Sequence, residues 1–262
     1  MSRRTVLVLG LALGAMAWFP AVGRATEMDP SHRIFDKVLK RFVKDGAVNY
    51  AALKSDPKDL DRYLDQLSSV PEAEFKKWPV EEQLAFFINL YNASTLRFIL
   101  DHYPVKSIRK LSNIFFGPWD QPIVRLFGIK TTLNALEHGR LRNNYAEPRI
   151  HFALVCAARG CPPLRSEAYH ADRLNEQLED QGRKFLSSQG KNFVDSQKRL
   201  LYLSPIFRWY ADDFVKKYGS VKVFVQPYFP SQMSSELSKA GYKIRYTSYD
   251  WSLNDSNQAA GK

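Results

Sequence analysis

Residues 151–165 read HFALVCAARGCPPLR and hold both cysteines of the chain, one of its five histidines and two arginines around a Gly-Cys-Pro-Pro corner. Such a stretch is open to four chemistries: a thiol nucleophile, a redox pair, a metal clip or a stapled turn. Four residues separate Cys156 from Cys161, a spacing that matches no common zinc clip, and the next histidine, His170, stands alone. A thioredoxin-like pair needs two intervening residues and a helix start, whereas prolines follow here. A Cys156–Cys161 disulfide would pin the Ala-Ala-Arg-Gly corner and, for so short a loop, contribute ~2 kcal/mol. A free Cys156 would instead lie near Arg159 and Arg165, whose charges lower a thiol pKa and favour the nucleophilic thiolate. Both readings stay open on the sequence.

A thiolate needs a base, and the base needs an orienting group. In TLNALEHGRLR, Leu133, Glu137 and Leu141 fall at i, i+4 and i+8, so a carboxylate shares a helical row with two leucines. There it must find a cation or hydrogen-bond donors. Arg142, Arg149 and His151 are the candidates, in a structural ion pair or a functional site. His138 lies off the row and reads as a surface or capping histidine. His151 is the preferred base for Cys156 and His138 the reserve. RIHFALVCA, however, reads as a buried strand, where side chains alternate and residues advance ~3.3 Å each. His151 and Cys156 would then point to opposite faces, roughly 16 Å apart along the strand, unless a bulge re-aims one of them. Asn89 and Asn92 interrupt an apolar helix and need hydrogen-bond partners. Asn89 reads as structural, Asn92 as a candidate to line a pocket.

The elements that position these groups follow from periodicity and caps. SHRIFDKVLKRFVK (residues 31–44) has helical spacing of apolar residues, and Asp56, Pro57 and Asp59 start a second helix. A third runs from Pro79 to about His102, closed by Pro104; it is apolar nearly all round and so should be the buried central helix. Residues 104–130 read as a structured loop with one short strand near Ile123–Phe127. Thr131 or Thr132 caps the Glu137 helix. Beyond the 149–157 strand come a helix over 170–186, a strand LLYLS, a helix SPIFRWYADDFVKKYG begun by Ser204-Pro205, a helix near Gln232–Ala240 and a strand YKIRYTSY. No repeat or glycine-rich phosphate loop is present. This irregular alternation predicts an α+β fold: a helix-rich single domain packed around a small mixed sheet.

The chain has 262 residues, 45% of them hydrophobic and 13% aromatic, ample for a large core. Its first 25 residues have a basic start, an uncharged apolar run from Thr5 to Gly23 and small residues Gly23 and Ala25, the pattern of a cleaved export signal. The Arg3-Arg4 pair fits a twin-arginine type. The expected mature domain is 26–262, in the periplasm or secreted, with no later segment apolar enough to span a bilayer. Without the three arginines of residues 1–25, the formal charge falls from +11 to +8. Cations are scattered among acids along the chain, which argues against a nucleic-acid footprint.

FFINLYNAST, TLNALEHGRLR, RIHFALVCAARGCPPLR, LSPIFRWYADDF and the late YDWSLN (249–254) together resemble the bacterial branch of the domain of unknown function 547 family, over about 80–214 plus an extension to 254. The resemblance implies an α+β domain whose polar family positions are Asn92, Glu137, His138, His151, Cys156 and Arg165. No cofactor is expected. Eukaryotic relatives carry other residues at the positions of Cys156 and Cys161, which makes Glu137 and His151 the stronger candidates for a shared site. Two functions are expected. The first is a periplasmic binding or scaffold domain for a small molecule or a periplasmic protein, with Asn92, His138, Arg149 and Arg165 as binding residues and the aromatic loop 114–127 as a contact surface. The second is a thiol-dependent hydrolase or transferase, papain-like or transglutaminase-like, with Cys156 as nucleophile, His151 as base and Glu137 orienting it.

Overall fold

The computed structural model describes residues 28–239 and 241–258; the expected export signal, residues 1–25, lies outside them. In the N-terminal half, α1 (Arg33–Phe42), α2 (Tyr50–Ser55), α3 (Lys58–Ser69) and α4 (Glu72–Phe75) pack around α5 (Val80–His102), with a ribbon of β1 (Val43–Lys44) and β2 (Ala47–Val48) between α1 and α2. Every residue of α5 from Leu84 to Leu100 except Arg97 is buried, as its uninterrupted apolar run requires. A hairpin of β3 (Val124–Leu126) and β4 (Ile129–Thr131) leads to Thr132, whose hydroxyl accepts the Ala135 amide at 2.9 Å and caps the next helical stretch. Over Ala135–Arg142 that stretch winds as a π-helix rather than the expected α-helix, still burying Leu136, Glu137 and Leu141.

The second half contains α6 (Ile150–Ala153), α7 (Leu174–Leu186), β5 (Phe193–Asp195), β6 (Leu200–Leu203), α8 (Ile206–Trp209), α9 (Ala211–Tyr218), α10 (Val221–Val225), α11 (Ser231–Ser238) and β7 (Lys243–Tyr246). β6 is antiparallel to β5 and parallel to β7, a small mixed sheet. The fold is α+β.

Two expected elements differ in ways that shape the site. RIHFALVCA is not a strand. Pro148 opens a turn that Leu154 N–H closes on Ile150 O at 2.9 Å, forming α6. The extended residues that follow have a side chain in place of a neighbouring strand: Asn92 Nδ2 donates to Ala153 O and its Oδ1 accepts from Val155 N–H, both at 2.9 Å. Asn89 holds Tyr169 O and N–H in the same way, at 2.8 and 2.9 Å. The expected helix 204–219 also breaks, at Tyr210 (φ −115°, ψ 24°), between α8 and α9.

The C-terminal segment is built into the N-terminal half. Val48 N–H donates to Asn254 O and the Tyr50 hydroxyl to Asn254 Oδ1, each at 2.8 Å, and Leu253 and Asp255 are fully buried.

His32, just before α1, is buried with Nδ1 2.8 Å from the Tyr63 hydroxyl. Burial, helped by the nearby His170, lowers its pKa from 6.5 to about 4. Its folded pKa lies below the unfolded one, so the associated stability is full above pH 6.5. It is lost as pH falls towards 4, a swing of ~3 kcal/mol. Urea unfolding at pH 7 and pH 4 should show a larger acid loss in the natural chain than in His32→Gln; equal losses would contradict the assignment.

Candidate functional site

The buried apolar residues form two clusters, one built on α1–α5 and reaching Leu178, the other around Phe152, Phe207, Phe214 and Phe224. Between them lies a cavity of about 210 Å³. Its aromatic lining is Tyr91, Trp119, Trp209, Tyr210, Tyr249 and Trp251. Glu137, His151 and Cys156 line the same cavity, together with Cys161.

Each of these groups arrives by a local device. A helical residue rises ~1.5 Å against ~3.3 Å in a strand, so the turn of α6 draws His151 and Cys156 together where a strand would have parted them. The break at Tyr210 lays that ring on His151, centroids 3.8 Å apart and 18° from parallel. Tyr249 and Trp251 come from the C-terminal segment, which pairs with the cysteine corner: Arg159 N–H donates to Ser252 O at 2.9 Å and Gly160 N–H to Asp250 O at 2.8 Å. Gly160 permits this approach, since a Cβ there would sit 2.8 Å from the Tyr249 ring.

The electrostatics centre on two carboxylates. Asp213 Oδ2 lies 2.7 Å from His151 Nε2 and accepts from Arg142 Nε at 2.6 Å, while its Oδ1 accepts from Arg142 Nη2 at 2.9 Å. Burial pushes the Asp213 carboxyl up, but His151 and Arg142 outweigh it and hold the group well below the usual carboxylate range. Burial lowers the pKa of His151, against the opposing pull of Asp213 and Glu137, and favours the neutral ring. A neutral ring donating from Nε2 to Asp213 leaves Nδ1 as an acceptor. Glu137 is 4% exposed, and no basic group stands within 4.0 Å of it among the described residues. Burial first, and then the Glu137 charge, raise the pKa of Tyr91 and of Tyr210.

Cys156 and Cys161 are joined as a disulfide, sulfurs 2.28 Å apart. The Tyr249 hydroxyl donates to Cys161 Sγ at 3.1 Å and lies 3.3 Å from Cys156 Sγ. The staple also holds Ala157 in the left-handed region (φ 58°), a conformation that costs ~1–2 kcal/mol for a residue with a Cβ.

The other residues singled out in the sequence lie elsewhere. Asn92 commits both amide atoms to the backbone. His138 is exposed and accepts from Arg142 Nη1 at 2.7 Å. Arg149 pairs with Glu147 at 2.7 Å on the wall of a separate hollow of about 600 Å³. Arg165 is bonded to Glu167 and Asp180 beside a third. The loop 114–127 divides: Phe127 stacks over Phe86 in the core, whereas Ile114 and Phe115 are 89% and 78% exposed, on a turn closed by Asn113. The sequence does not single out Asp213, Tyr210, Trp209 or Trp251, and it offers Trp119 only as part of the contact loop 114–127. RWYADDF and YDWSLN, which carry all of them but Trp119, were visible as motifs, yet nothing in their spacing points to a cavity.

Residues 75–186 match the model of the family described as Protein of unknown function, DUF547. The match takes in Tyr91, Glu137, His151 and both cysteines, and ends before Trp209, Tyr210, Asp213, Tyr249 and Trp251. No curated protein and no solved structure matches the chain.

A thiol reagent should label neither cysteine until a reductant is added, and Cys156→Ser/Cys161→Ser should unfold ~2 kcal/mol more easily. Labelling of the unreduced protein, read by mass spectrometry, would show that the staple does not form.

Proposed function

We propose that the chain is an exported binding domain that takes a small organic molecule into the aromatic-walled cavity over Glu137 and His151. The observation that carries this reading is the convergence of six aromatic side chains and two ionisable groups on one cavity of about 210 Å³. Concave sites of this make-up, mostly apolar walls with a few convergent polar groups, are what small-molecule recognition requires. Export is supported by the leader-like start of the chain and by a disulfide, which persists in oxidising compartments. The Ile114–Phe116 tip is the surface this reading gives to a periplasmic partner, and serine replacements there should leave ligand binding intact.

A second reading rests on Cys156 sharing the cavity with the His151–Asp213 pair. Once reduced, Cys156 would be a thiol in the same cavity as an imidazole oriented by a carboxylate, the groups a thiol-dependent hydrolase or transferase uses. In the disulfide form, Cys156 has no thiol to offer. The orienting acid in this reading is Asp213 rather than Glu137.

A panel of cationic, anionic, sugar and amino-acid compounds read by thermal shift should contain one that stabilises the unreduced protein. At a hundred times its Kd the gain is ~2.7 kcal/mol. That compound should also perturb tryptophan fluorescence, and Glu137→Leu should abolish the response. A panel with no stabilising member would reject the binding reading. Hydrolysis of a thioester or peptide probe only after reduction would favour the second.

A further inference from the structure

Building on the reading of the cavity as a binding site, the geometry points to an alkylated ammonium ion, such as a choline-type headgroup, as the chemical class of its ligand. Glu137 carries the argument. It is 4% exposed, lines the cavity and has no ion-pair partner among the described residues. The hydroxyls of Tyr91 and Tyr210 reach it, but neutral donors do not offset the charge of a buried carboxylate, and a cation would.

The protein's own cations nearby are committed elsewhere. Arg142 makes a two-pronged bond to Asp213 and lies 5.2 Å from the Tyr210 ring centre. Arg109 lies 5.2 Å from the centre of Trp251. These contacts also show that two lining rings already attract positive charge. His151 turns Nε2 to Asp213, and burial favours its neutral form. Arg142 and His151 feel the Glu137 charge only at longer range, so among the described residues no cation pairs with it directly and a ligand cation could.

The walls restrict which cation fits. A hard metal ion needs several oxygen ligands, and one carboxylate among indole and phenol rings does not supply them. A primary ammonium brings three N–H donors that each need an acceptor. A quaternary ammonium brings none; it is weakly hydrated and is attracted by the π-faces of Trp and Tyr. The six aromatic rings and a single carboxylate match that chemistry.

The test titrates the unreduced full chain with choline chloride, with 3,3-dimethylbutan-1-ol, which has the same shape without the charge, and with sodium chloride as the ionic-strength control. Tryptophan fluorescence and calorimetry provide the readouts. Choline should saturate the signal and bind at least tenfold more tightly than the neutral isostere. Glu137→Gln should weaken choline at least tenfold and leave the isostere unchanged. Trp209→Leu, at a half-exposed position, should weaken choline without altering the circular dichroism of the protein. Equal binding of choline and the isostere would overturn the cation assignment while leaving the cavity a binding site. Binding by neither, with a sugar or an anion from the wider panel active instead, would likewise overturn the class alone. Silence across the whole panel would remove the binding reading as well.

Discussion

The amide of Asn92 fixes the site. Buried in the middle of α5, it donates to Ala153 O and accepts from Val155 N–H, both at 2.9 Å, and so gives the backbone beyond α6 the partners that a neighbouring strand would otherwise supply. A buried N–H or C=O left without a partner costs ~1–3 kcal/mol, which is why so apolar a helix retains an amide. The consequence is positional. With Ala153 and Val155 held, the helical turn before them presents His151 and the extended residues after them present Cys156 to one cavity. Asn89 repeats the device one turn earlier on Tyr169, so the central helix organises two loops by the same chemistry.

The cavity forms where the two apolar clusters meet, and that seam explains its polar content. Asp213 reaches across from α9 to His151 on α6 and Arg142 on the π-helix. The three form a satisfied network: one oxygen serves both donors, and the second closes a two-pronged bond with the guanidinium. Glu137, only a few residues from Arg142, is left outside that network. Asp213 meets a guanidinium and an imidazole directly, whereas Glu137 meets only the hydroxyls of Tyr91 and Tyr210, and that contrast gives the cavity its chemical direction.

The wall is assembled from distant parts of the chain. The disulfide and Gly160 shape a corner against which the segment carrying Tyr249 and Trp251 lies, and that segment continues into Leu253–Asp255, tied to Val48 and Tyr50. The family match ends at residue 186, so the matched segment supplies Glu137 and His151 while much of the aromatic wall is contributed from beyond it.

Local signals in the sequence were enough for the α+β class, the buried central helix, a threonine cap at 131 or 132, the burial of Glu137 and the pairing of Cys156 with Cys161 as one of two readings. Each of these depends on side-chain periodicity or on residues a few positions apart. The strand expected over 149–157 does not form because β-branched and aromatic content reports burial as much as strand pairing, and here the pairing partner is a side chain 61 residues away. The break at Tyr210 and the role of Asp213 were equally hidden, since Ala-Asp-Asp-Phe reads as an ordinary exposed helix turn until α6 is packed against it. Which carboxylate meets a cation and which is left alone is decided by distances across the seam, and no spacing along the chain encodes those.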